Sequence, residues 1–423
     1  MALSANDRSI AGFTMAGHSL VHWFETSIPI FLVVWLAEFD VSVAVLGLVL
    51  APSYGLFGFG ALPAGILADK YGPKRLVLAC LAGMSLGFLV LAVSTSIYAI
   101  AAGLIVWGLA ASVYHPSGLS LISTGVAERG TVFAYHGIAG NVGIALGPFV
   151  AATLLIFFPW QLVAALLAIP GLFAVVYGLS ADFDPTGGVE GMDASEASDK
   201  ALSLSDLLGN TRTLFTSVFA LVFVIVTFEG LFYRGMLTYL PEILQGLPAL
   251  EGFTVGPDLE GIEPSRYIYV GFLVVGIVGQ YAGGKLTDRM IPSRGLLGIF
   301  VVLAALALAF IPVTGMGMAP LLVLCGLLGF FLFAIQPFYQ DAVAVHTSAD
   351  SRGLSYGYTY LGEFGLGSGS IAIGGFLLDA FSLATFFAVL AAFALIGAGL
   401  SAGLLTLLDR SESPRAAETG SDD

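Results

Sequence analysis

Charge is what this chain of 423 residues lacks most: 10% of its residues are Asp, Glu, Lys or Arg, 57% are hydrophobic, and the mean hydropathy is +0.94. A soluble domain is about one quarter charged. Charge this sparse cannot solvate a folded surface, so the surrounding medium is lipid. Lysine is scarcer still, with only Lys70, Lys74, Lys200 and Lys285. The formal net charge is −14, which argues against nucleic acid as a partner. There are two cysteines, Cys80 and Cys325, each inside an apolar run. That excludes a disulfide framework and a cysteine metal site, and both read as small packing residues. The opening "MALSANDRSI" is polar, and the run behind it is too long for a signal-peptide core, so the first helix is expected to stay.

What the chain has in abundance is long apolar runs. Twelve of them, near 10–36, 42–68, 76–94, 97–122, 131–157, 159–180, 214–245, 265–287, 295–314, 318–346, 354–380 and 382–408, are long enough for a helix across a bilayer core. The runs do not alternate polar with apolar residues, which argues against a barrel. The predicted fold is therefore all-α and integral to the membrane, with twelve transmembrane helices. Of the fifteen Lys and Arg residues, only Arg234 and Arg266 fall off one common side. By the positive-inside rule that side is the cytoplasm, with both termini on it, in a multi-pass plasma-membrane protein.

The acidic stretch 181–213 separates six spans from six. The expected organisation is an N-terminal six-helix bundle at 1–180, an acidic cytoplasmic linker at 181–213, a C-terminal bundle at 214–408 and a disordered acidic tail at 409–423. The acidic exterior is also what a halophilic source would produce. The halves repeat one another. "GILADKYGPKR" (65–75) returns as "GKLTDRMIPSR" (284–294), and "WFETSIPIF" in the first span is echoed by "TFEGLFYRG" in the seventh. Such duplication, with a site between the halves, is the plan of many secondary transporters.

"GILADKYGPKR" resembles the signature loop between helices two and three of the major facilitator superfamily, and "GKLTDRMIPSR" its weaker copy between helices eight and nine. "GNVGIALGPFVAA" resembles the Gly-Pro motif in helix five of that family's drug antiporters. "VYHPSG", "ERGTVFAYHGIAGNVG" and "GHSLVHWFETSIP" are similar to the fosmidomycin-resistance-like efflux branch, although Ser117 stands where that branch usually carries an acid. Many proton-driven members carry an arginine in span four. Here Leu104 holds that place, so coupling through it is excluded. The resemblance implies two pseudo-symmetric six-helix bundles, with Asp69 latching them on the inner side against the start of span eleven near Arg352. Gly65, Arg75, Asp288 and Arg294 are the other expected members of the latch. Gly143, Gly147 and Pro148 are expected at a close helix contact.

Charges within spans are functional candidates by default. Thr14, His18, His22 and Glu25 share one face of the first span. Glu229 lies at similar depth in the seventh, with Tyr233 and Arg234 beyond it. Tyr356, Tyr360 and Glu363 are spaced for one face of the eleventh. These nine residues from His18 to Glu363 form the expected proton-coupling and substrate cavity. Arg234 is expected to pair with a carboxylate or to bind an anionic solute. His115 and His136 lie at similar depth in consecutive spans and are expected at an inner gate. Gln336 and Asp341, in the matching "AIQPFYQDAVAV", complete it.

The expected function is secondary active transport of a small organic solute by alternating access, as proton-coupled efflux. The alternative is a proton-coupled importer of a small organic anion. A remote alternative is a membrane-embedded zinc enzyme using His18, His22 and Glu25, but Ser19 replaces the Glu of an H-E-x-x-H motif. The reading calls for no enzyme activity, cofactor or metal, and for a monomer in the bilayer that binds solute and protons.

Overall fold

The computed structural model describes residues 3–188, 204–250, 262–347 and 352–418, without the side chains at 69, 204–207, 352–353 and 408–418. Among the described residues, twelve helices are long and apolar enough to cross a membrane: α1 Ala5–Phe39, α2 Val43–Ala68, α3 Pro73–Ala92, α4 Ile97–Gly125, α5 Arg129–Leu154, α6 Trp160–Ser180, α7 Phe219–Gln245, α8 Pro264–Thr287, α9 Pro292–Thr314, α10 Met318–Val345, α11 Leu354–Ala380 and α12 Leu383–Leu407. No strand occurs among the described residues. Helix starts are marked locally. Ser4, Ser42 and Ser96 accept a backbone N–H of the first turn, and Pro73, Pro264 and Pro292 open α3, α8 and α9.

Three spans are interrupted. α2 breaks after Phe59 and resumes at Ala61, and α4 breaks after Ala111 and resumes at Tyr114. Both breaks have one cause. Pro63 and Pro116 lack the N–H that would bond four residues back, and their rings collide with that carbonyl. The break in α4 sets the direction of Tyr114 and His115. In α11, Leu361–Leu366 is a π-helical turn, which admits one extra residue and rotates the rest of the helix.

α1–α6 and α7–α12 form the two bundles, and α1–α7, α2–α11 and α5–α8 make contacts across their boundary. Within each bundle, glycine lets two backbones touch. A Cβ on Gly143 or Gly147 of α5 would strike the carbonyls of Ser19 or Trp23 in α1. Gly279 and Gly283 of α8 meet the carbonyls of Phe330 and Ala334 in α10 in the same way. Pro148 lies inside α5, next to this contact.

The start of the acidic linker is tied to the first bundle. Asn6 donates to the carbonyls of Gly125 and Asp184 (2.8 and 3.2 Å), and Arg129 donates to that of Gly188 (3.1 Å). A helix at Leu204–Phe215 then precedes α7, crossing the expected boundary at 214. The tail departs from expectation: helix continues from Leu383 to Glu418, where disorder was expected from 409. Residues 419–423 lie outside the description.

Of the expected latch, Arg75, Asp288 and Arg294 are exposed and Gly65 is half-buried. The side chains of Asp69 and Arg352 lie outside the described residues. Gly72 ends the second segment of α2 at φ +84°, a left-handed turn that only glycine takes easily.

Candidate functional site

The polar stripe of α1 faces the bundle boundary and meets α7 there. Arg234 Nη2 lies 2.6 Å from Glu25 Oε1, and both residues are 2% exposed. His22 Nδ1 donates to the other carboxylate oxygen, Oε2, at 2.7 Å. Glu25 thus divides its two oxygens between the bundles, one to its own helix and one to the opposite half. Tyr54 of α2 donates to the backbone carbonyl of Glu25 (2.9 Å), fixing the turn that carries it.

Arg234 is also enclosed by rings. Its guanidinium lies 4.5 Å from the centre of Phe364, 4.8 Å from Tyr54 and 5.3 Å from Tyr233. Cation–π contacts offset part of the hydration a buried guanidinium loses. The ion pair supplies the rest. A buried charge without a partner is among the costliest arrangements in a protein.

Behind Glu25 the imidazoles gather. His22 Nε2 is 3.2 Å from His18 Nε2, and His18 Nδ1 donates to the His136 carbonyl at 2.7 Å. The rings of His18 and His136 stack at 3.9 Å, and His115 stands edge-on to His18 and His22 at 5.3 and 5.6 Å. Tyr114 donates to the Thr14 carbonyl, so its oxygen receives the Nε2–H of His136 (3.1 Å). Four histidines from α1, α4 and α5 therefore form one cluster in the first bundle.

The C-terminal bundle is built differently. Glu363, on the π turn, accepts a hydrogen bond from Tyr339 of α10 at 2.6 Å. Glu229 is 1% exposed, and neither carboxylate oxygen has a partner among the described residues. Its part of α7 packs directly against the π turn that carries Glu363. Backbone contact sets this proximity: a Cβ on Gly230 would come within 2.6 Å of Glu363 Cα.

The structure brings together His18, His22, Glu25, Arg234 and, around the guanidinium, Tyr233. His115 and His136 join this cluster through His18. The other two expected inner-gate residues are on α10. Gln336 accepts from Gln280 of α8 at 3.2 Å, and Asp341 lies half-buried further along α10. Tyr360 and Glu363 meet different partners. Tyr360 packs 5.0 Å from the His115 ring in the opposite bundle, whereas Glu363 turns to Tyr339. The π turn separates them. Tyr356 is half-buried. The sequence reading missed Tyr339 and Tyr114. Each is a tyrosine beside an X-Pro step, in "QPFY" and "VYHP", and that recurrence was the available signal.

Twelve spans in two repeated bundles, with charged residues shut between them, make a membrane transporter. The chain belongs to the Major Facilitator Superfamily, whose sequence profile matches residues 14–371. It is 25% identical over 344 residues to the nitrite extrusion protein of Bacillus subtilis (strain 168), covering 78% of this chain and 80% of that one. It is 27% identical over 290 residues to the 4-hydroxybenzoate transporter PcaK of Pseudomonas aeruginosa, covering 63% of each. Among solved structures, the nucleoside transporter NupG superposes with a TM-score of 0.72 at 14% identity, over 95% of this chain and 99% of that one. A D-xylose-proton symporter superposes at 0.71 and 13% identity, over 95% and 97%. These likenesses fix the superfamily and the fold and leave the branch open. The protein is a multi-pass membrane transporter of small solutes, not an enzyme.

Proposed function

We propose that this chain couples protons to the movement of a small organic anion, and that Glu25 and Arg234 perform the coupling. One observation carries the reading: the buried 2.6 Å ion pair joins α1 of one bundle to α7 of the other. Alternating access requires the bundles to rock against each other, so this pair must open. A bare Glu25 and a bare Arg234 in a low-dielectric centre are each unfavourable. A proton taken up by Glu25 removes one charge. The anion's carboxylate on Arg234 neutralises the other. Proton and anion then bind together, which is the stoichiometry of symport. Two relatives carry names that concern anions, nitrite and 4-hydroxybenzoate, consistent with this choice of solute.

The Glu229–Glu363 pair supports a second reading. Two carboxylates in the C-terminal bundle suit a cationic solute leaving in exchange for protons, which is the efflux expected from the motifs. The distribution of Lys and Arg supports cytoplasmic termini in either case.

Reconstituted vesicles distinguish the two. With the outside made acidic, symport accumulates labelled aromatic or short-chain carboxylates inside, and a dissipated gradient stops it. Accumulation of organic cations under the reversed gradient, with no response to carboxylates, would replace the first reading by the second.

A further inference from the structure

The histidine cluster contains a hydrogen-bonding puzzle. The His136 carbonyl can only accept, so His18 Nδ1 carries a hydrogen. The Glu25 carboxylate accepts from His22 Nδ1, so that nitrogen carries one too. If both rings are neutral, each Nε2 holds a lone pair. The two lone pairs then face each other across 3.2 Å. Something positive between them removes the repulsion.

A shared proton would satisfy two rings. The site has three. One ring nitrogen from each of His18, His22 and His115 lies within 4.8 Å of the other two. His115 makes ring contacts but no hydrogen bond to a described residue. We propose that His18, His22 and His115 form a site for a borderline divalent transition-metal ion of the zinc class, open at its fourth position.

The geometry fits the ion's chemistry. Two imidazoles bound to tetrahedral zinc at about 2.0–2.1 Å have their nitrogens about 3.3–3.4 Å apart, close to the separation of the two Nε2 atoms. Metal-bound imidazoles characteristically donate their other N–H to a carboxylate or a backbone carbonyl. Both arrangements are present here, Glu25 behind His22 and the His136 carbonyl behind His18. His136 itself is excluded through Nε2, which donates to Tyr114. The three ligands come from α1 and α4 of one bundle, so the ion does not clamp the two halves together. His18 and His22 are only partly buried, and His22 is 12% exposed, so a water molecule or a donor atom of a solute can take the fourth position. Three protein ligands plus an open place is the pattern of zinc sites that bind exchangeable ligands.

The test uses the full chain purified in detergent, stripped with a chelator, loaded with zinc and freed of excess by gel filtration. Wild type and His346→Ala are expected to keep about one ion per chain. His18→Ala and His22→Ala are expected to keep none, and Glu25→Gln to weaken binding about 10- to 100-fold. X-ray absorption on the wild type, which needs no variant to fold, should show about three imidazole nitrogens around zinc. No zinc retained by wild type, a coordination sphere without imidazole, or full retention by the His18→Ala/His22→Ala double variant would each overturn the site. Neither a pH gradient nor an organic solute enters this assay, so its failure leaves the proton-coupling reading intact.

Discussion

Glu25 and Glu229 occupy equivalent places in the two sequence repeats, each after a phenylalanine and each deep in the first span of its bundle. Their surroundings are opposite. Glu25 has a histidine on one oxygen and an arginine on the other. Glu229 has no partner on either oxygen among the described residues. Duplication has kept the carboxylate and not its company. The first bundle surrounds its acid with imidazoles. The second supplies the arginine to its neighbour and holds two acids of its own. A buried carboxylate bonded on both oxygens has partners to lose when it is replaced, whereas one without partners has none.

The strongest way to break this contrast is to remove the arginine. Arg234→Ala leaves Glu25 with one partner, and breaking a buried pair costs about 3–5 kcal/mol. Thermal unfolding in detergent should show a large loss. Adding Glu25→Gln to the same chain should recover much of it, because no orphaned charge remains. Strict additivity of the two substitutions would mean that the pair is not coupled.

Next in size is the close contact that holds α1 against α5. Gly143→Val places atoms where the Ser19 carbonyl stands, and overpacking of this kind costs about 1–3 kcal/mol. His18 lies one residue before Ser19, so the variant should lower transport as well as melting temperature. Unchanged values for both would show that the helices separate without consequence.

The smallest effect is expected at the partnerless acid. Glu229→Gln should change the melting temperature little, because the side chain has no described hydrogen bond or ion pair to lose. Glu25→Gln, which forfeits its ion pair, should lose far more. Equal losses in the same melting assay would erase the distinction between the two sites.

The membrane fold was legible because twelve apolar runs and a repeated charged turn leave few alternatives. The α1 stripe was legible because 100° per residue aligns Thr14, His18, His22 and Glu25 whatever the helix packs against. Partners across helices were not. Spacing within α7 marks Arg234 as needing an anion, but Glu25, Glu229 and Glu363 all qualified, and only packing chooses. His115 and His136 were grouped by their positions along consecutive spans, which gives no sign of the prolyl break in α4 beside which the His115 ring meets His18. The π turn in α11 was not legible either, and the i, i+4, i+7 spacing of Tyr356, Tyr360 and Glu363 assumes an unbroken α-helix.

Proton competition for the Glu25–Arg234 pair is the central claim, and one comparison tests it most directly. Wild type and Glu25→Gln, in vesicles loaded with a transported carboxylate, are assayed both for accumulation driven by an acidic exterior and for one-for-one exchange without a gradient. Glu25→Gln is expected to keep exchange and lose gradient-driven accumulation, since its side chain no longer takes a proton and Arg234 still holds the anion. Accumulation at the wild-type rate and with wild-type pH dependence would contradict the claim and move the coupling to Glu363 or Glu229.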